Sequence, residues 1–139
     1  MNVSRVLLAG LGATIVYFVL GGLAFGLGPL RAEFMRYPTI YRSPESMKPL
    51  APIGIVTTFI AMVTLAVLYA SMYRGGSGVS EGTRLGALIG VFAVCSFVFH
   101  NYVNLNIGLR LALGQAAAYL VEWIAAGIAI GLIYRPPAP

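Results

Sequence analysis

Charged residues in this chain come in clusters separated by long apolar runs. They fall at Arg5; at Arg31, Glu33, Arg36, Arg42, Glu45 and Lys48; at Arg74, Glu81 and Arg84; and at Arg110, Glu122 and Arg135. The apolar stretches 6–28, 51–73, 85–103 and 111–134 are each about 19–24 residues long, and a hydrocarbon slab needs roughly 20 helical residues to cross it. Each predicts a membrane-spanning helix, because backbone exposed to lipid must satisfy its own hydrogen bonds. The pattern therefore reads as all-α, a polytopic four-helix transmembrane bundle forming one domain over residues 1–139. Of the charged residues, only Glu122 falls inside a span. The first span is too long for the apolar core of a cleavable signal and lacks a clean small-x-small site, so it reads as a retained helix.

The connections carry their own signals. Segment 29–50 holds Pro29, Pro38, Pro44 and Pro49. Within it Leu30, Phe34, Tyr37 and Tyr41 recur near helical spacing beside Arg31 and Arg36, which predicts a short amphipathic piece in the headgroup region. Pro38 breaks it, since proline lacks the N–H that an interior turn requires. Ser43-Pro44-Glu45 reads as an N-cap, a proline at the first helical position and a first-turn acid. Arg74-Gly-Gly-Ser-Gly predicts a flexible turn, after which Ser80-Glu81 offers a cap to the third helix. A tight connection around residues 104–108 makes helices three and four antiparallel neighbours, and Arg135-Pro-Pro-Ala-Pro ends the last helix. Tyr69, Tyr73, Tyr102 and Tyr134 lie near span ends, where interface aromatics belong. Four basic residues against five leaves the positive-inside rule nearly tied. The denser first loop is read as cytoplasmic, with both termini outside. Leu11-Gly12-Ala13-x-Ile15-x-x-Phe18 matches Leu85-Gly86-Ala87-x-Ile89-x-x-Phe92, which is either a two-helix duplication or a coincidence of Gly/Ala/Leu-rich composition.

Composition narrows the class further. The chain is 59% hydrophobic with nine Lys/Arg and four Asp/Glu, whereas soluble domains are about 45–50% apolar and about a quarter charged. That excludes a cytosolic enzyme domain, a disordered chain and a disulfide scaffold. The single cysteine, Cys95, cannot form an internal disulfide. The net charge of +5 is carried by residues flanking apolar runs, where they meet lipid phosphates, so nucleic acid is not an expected partner. The lipid bilayer is.

Gly86-x-x-x-Gly90, Gly127-x-x-x-Gly131 and Gly22-x-x-x-Gly26 are small-xxx-small motifs that let backbones approach closely. They predict packing within one bundle, with a homo-oligomer interface as the alternative.

The candidate chemistry lies in the last two spans. Gln115, Tyr119 and Glu122 share one helix face, with Trp123 beside it, and Ser96, His100 and Asn104 share a face of the third helix, next to Asn101. At 1.5 Å rise per residue Glu122 lies about 18 Å beyond Arg110, near mid-membrane. An antiparallel hairpin is thus expected to set the two stripes opposite each other as a polar ladder. A charged residue at that depth costs roughly 2.5–3.5 kcal/mol on insertion scales. Two arrangements lower the cost: a protonated acid, or a proton held jointly with His100 or tyrosines through hydrogen bonds. Thr14, Tyr17, Thr57 and Thr58 are read as packed or backbone-bonded side chains that could extend the lining. One His, one in-span Glu and one Cys do not make a metal site, and His100 alone is all that could hold a haem, so no cofactor is assigned. With no aspartate in the chain and the other glutamates in loops, no catalytic constellation is visible.

The motifs Phe34-Met35-Arg36-Tyr37-Pro38-x-x-Tyr41-Arg42-Ser43-x-Glu45-Ser46-Met47-Lys48, Glu81-Gly82-x-Arg84-x-Gly86 and His100-Asn101-Tyr102-x-Asn104-Leu105-Asn106 give the whole chain a resemblance to bacterial four-helix integral membrane proteins of the domain-of-unknown-function type. The resemblance implies the fold and a place in the inner membrane, and carries no activity. The architecture also resembles that of small multidrug transporters, which have four helices and one membrane-embedded glutamate near aromatics. Their acid lies in the first helix, however, and their loops are shorter. The expectation is a non-enzymatic protein that binds a small polar or cationic ligand or relays protons. The alternatives are a proton-coupled transporter and a structural subunit of a larger membrane complex.

Overall fold

The computed structural model describes residues 1–134. The expected end of the last helix at Arg135-Pro-Pro-Ala-Pro lies outside the described residues. Helix α1 (Val3–Gly21) runs on into a π-helical segment, Gly22–Leu27, and is followed by α2 (Pro29–Phe34). Helix α3 (Pro44–Met47) passes through a 3-10 turn, Lys48–Leu50, into α4 (Ala51–Met72). Helix α5 (Gly78–Ala93) continues through a second π-helical segment, Val94–Phe99, into α6 (His100–Asn104), and α7 (Leu109–Ile133) is the last helix among the described residues. Four continuous helical spans result, Val3–Leu27, Pro44–Met72, Gly78–Asn104 and Leu109–Ile133, each long and apolar enough to cross a membrane. The shortest, at 25 residues, extend about 37 Å at 1.5 Å per residue. Side chains such as Leu8, Ile53, Leu88 and Phe97 point outward, a surface that suits acyl chains and not water. The protein is a multi-pass, all-α membrane protein.

Span three begins at Gly78, seven positions before the charge-free stretch that predicted it. A gap between charges marks hydrocarbon, whereas a helix can begin in the headgroup region with Glu81 and Arg84 still aboard. Ser77 occupies the N-cap position, in place of the Ser80-Glu81 cap expected from sequence. Glu81 instead accepts the Gly76 N–H at 3.0 Å and the Tyr69 hydroxyl at 3.3 Å, tying the turn to α4. Ser43 does cap α3, accepting from the Ser46 N–H at 3.3 Å.

Helix α7 is central, packing along α1 on one side and α5 on the other, while α4 leans on the outside of α1. The α5–α7 seam is made by backbone approach. A Cβ added at Gly78, Gly82 or Gly86 would collide with the backbone of Gly131, Gly127 or Trp123, in that order. Four residues along one helix match four along the other, as antiparallel helices in close register require. The Gly22/Gly26 motif does not join in, because both glycines face open space. The two matched octapeptides also differ in orientation: Leu11 is exposed where Leu85 is buried.

The expected interface tyrosines divide. Tyr69 and Tyr134 are buried and form a cluster with Tyr73, at ring-centre distances of 5.8–6.3 Å, that closes one end of the bundle. Tyr102 remains outside. At the opposite end the first loop folds back on the start of α7. The amphipathic helix ends at Phe34, ahead of Pro38. Tyr37 continues past it and accepts a hydrogen bond from the Gly108 N–H at 2.8 Å. Glu33 is buried, and its two oxygens meet Arg110 at 3.2 Å and Arg36 at 3.3 Å.

Candidate functional site

The buried acid does lie inside the bundle. Glu122 is 2% exposed near the midpoint of α7, and its Oε1 has no hydrogen-bond partner among the described residues. Gln115 is buried on the same face, with Tyr119 half-buried between them. Helix α7 thus has two working faces. Trp123, Gly127 and Gly131 meet α5, and Tyr119 and Glu122 turn toward the first span.

The partners on α1 are not those expected from sequence. Tyr17 faces the Glu122 carboxyl, and its ring lies 5.4 Å from that of Trp123. Gly21, one turn on, leaves the space beside the acid: a Cβ there would sit 3.4 Å from Oε1. Phe25, another turn on, packs against Tyr119 at 5.9 Å. The Trp123 Nε1 is buried next to Glu122 and also lacks a partner among the described residues. An acceptor and a donor, both out of water and both unsatisfied, therefore sit on consecutive residues, inside a wall of three aromatic rings.

The predicted ladder across α5–α6 and α7 is not formed. Ser96, His100 and Asn104 do share a face, but all are exposed on the outside of the bundle. Ser96 donates to its own Phe92 carbonyl at 2.6 Å, and Asn104 donates to the His100 carbonyl at 2.8 Å. The reason is angular. The small-residue stripe Gly82–Gly86–Gly90 faces α7 and continues into the buried Val94 and Val98. Within the π-helical segment Ser96 lies midway between the buried Val94 and Val98 and is turned to the opposite, exposed side. One helix cannot present both stripes to the same neighbour, and the glycines hold that position.

By its sequence Tyr17 is indistinguishable from a packing residue. The signal that could have raised it is Tyr17, Gly21 and Phe25 at i, i+4 and i+8. These share one stripe on an antiparallel helix, at depths that meet Trp123, Glu122 and Tyr119. Thr14 and Thr57 return their hydroxyls to the backbone, at 2.7 Å to the Gly10 carbonyl and 2.8 Å to that of Ile53. Among the described residues, no three His, Cys, Asp or Glu side chains converge as metal ligands would. No protein-family model, curated protein or solved structure matches this chain.

Proposed function

We propose that this chain is a bacterial inner-membrane protein that holds a proton or a small organic cation at Glu122, between α1 and α7. The observation that carries this reading is the unpartnered Oε1 of an acid 2% exposed at mid-span. An acid serving only to fasten helices would spend its oxygens on hydrogen bonds, since a buried polar atom left without one costs about 1–3 kcal/mol. The surroundings suit a cation: a carboxylate supplies charge, and the faces of Tyr17, Tyr119 and Trp123 supply the quadrupole attraction that aromatic rings offer to ammonium groups. The same carboxyl takes a proton when the cation leaves. With Glu122 near the middle of α7, this exchange extends to proton-coupled transport, in which one acid serves proton and substrate in turn.

The test is infrared difference spectroscopy on protein reconstituted in lipid, with tetramethylammonium as the probe. A protonated-carboxyl band should titrate with pH, diminish on adding the cation and vanish in Glu122→Gln. Tyr17→Phe should shift it and His100→Ala should leave it in place. A band that neither titrates nor answers the cation would overturn the reading. For transport, proton-coupled flux of the same probe in proteoliposomes should be abolished in Glu122→Gln while the protein still folds.

A further inference from the structure

Beyond the Glu122 site, the loop end of the molecule holds a cavity of about 730 Å³, a volume within the range of small-molecule sites. It lies where α1 ends and α3 begins, at the boundary of the first two membrane spans. Its wall is aromatic and thioether: Phe25 packs on Phe34 at 5.6 Å, Phe34 on Tyr41 at 4.5 Å, and Met35 and Met47 complete it. Two basic residues, Arg31 and Arg42, also line it.

The charge at this end is unbalanced. Glu33 is the acid nearest in sequence to Arg31, but both its oxygens are held by Arg36 and Arg110. Among the described residues neither Arg31 nor Arg42 has a carboxylate partner. The segment 29–50 carries four basic residues against two acids, and Arg110 adds another positive charge beside it. An apolar chamber whose cations are left unneutralised at headgroup depth is complementary to an anionic amphiphile. A wholly apolar ligand would leave the guanidinium groups unused, and a free anion would leave the aromatic wall unused.

We propose that this cavity binds one anionic phospholipid, with one of its acyl chains against Phe25, Phe34 and Met47 and its phosphate between Arg31 and Arg42. The lipid thereby anchors the first loop against the bundle. Phe25 is shared between this cavity and the packing against Tyr119.

The experiment is lipid titration of the purified full chain, read by native mass spectrometry. Phosphatidylglycerol is compared with phosphatidylcholine of the same acyl chains. Wild-type protein should retain phosphatidylglycerol preferentially. Arg31→Gln/Arg42→Gln, whose side chains are exposed and without carboxylate partners, should keep the fold and weaken that retention about thirty-fold, at about 1 kcal/mol per surface basic residue. Arg74→Gln/Arg84→Gln, an equal loss of charge at the far end, should not weaken it. Met47→Trp, which fills the chamber, should displace both lipids. Equal retention of the two lipids by the wild type, an equal loss in the far-end variant, or displacement of the lipid by excess inorganic phosphate would each overturn the proposal. Because Glu122 contributes no group to the cavity, Glu122→Gln should retain phosphatidylglycerol as the wild type does.

Discussion

At Glu122 the distinction between a fastening and a site becomes a matter of sign. A residue whose hydrogen bonds hold helices together destabilises the protein when they are removed. An acid with a buried oxygen left unsatisfied does the opposite when an apolar side chain of similar size takes its place. Glu122→Met is therefore expected to be as stable as the wild type or more so, by up to about 2 kcal/mol, in reversible unfolding from mixed micelles. A loss of more than about 1 kcal/mol would mean that the carboxyl is structural after all, on the usual worth of a net hydrogen bond. The chain order of the residues concealed the site's real neighbours. Glu122 stood out in the sequence because charge in hydrocarbon is rare, and Gln115 and Tyr119 followed from helical spacing. Tyr17 and Gly21 carry no charge and resemble packing residues until a second helix is laid against them.

The elements divide by what joins them. Between α5 and α7 the joint is backbone against backbone, so it tolerates no side chain at its centre. Gly82→Val should cost about 1–3 kcal/mol, the usual range for overpacking, or prevent the two helices from closing. Gly26→Val, in the glycine pair that meets nothing within 4 Å, should stay within about ±0.5 kcal/mol. Equal effects at the two positions would show that the seam does not matter. The first loop is joined to the start of α7 by the Glu33–Arg110 ion pair and the Gly108–Tyr37 hydrogen bond, while Arg36 meets Glu33 from within the loop. Glu33 is buried but both arginines lie out in solvent, and pairs screened on that side are worth about 0–1 kcal/mol each, so Glu33→Gln should leave the bundle intact. It should also free the loop, read as faster tryptic cleavage after Arg36 and Arg42. All three glycine motifs were legible as small-residue stripes, and which of them meets a partner was not. Composition reports that a close approach is possible, while the neighbour's position decides whether it happens.

For the whole molecule, four spans place residue 2 and the turn near residue 77 on one side of the membrane, and the first loop and the 105–108 turn on the other. In a Cys95→Ala background, a membrane-impermeant maleimide should label Asn2→Cys and Ser77→Cys from one side only, and Ser43→Cys and Asn106→Cys from the other. Labelling of Ser43→Cys and Ser77→Cys from the same side would refute the topology. We further expect the loop side to be cytoplasmic, because that end carries Arg31, Arg36, Arg42, Lys48 and Arg110. The spacing of charges was enough to establish the spans, since the cost of placing an ion in hydrocarbon acts on each residue separately. Depth along each helix follows from the same count, and so does the presence of one acid at mid-membrane. The azimuth of each helix was open to the sequence only in part. Two stripes on α5 competed for the same neighbour, and glycine packing prevailed because backbone contact requires the closest approach. Only the assembled bundle turned His100 outward and brought Tyr17 to Glu122, because rotation about a helix axis is settled by the neighbours on all sides at once.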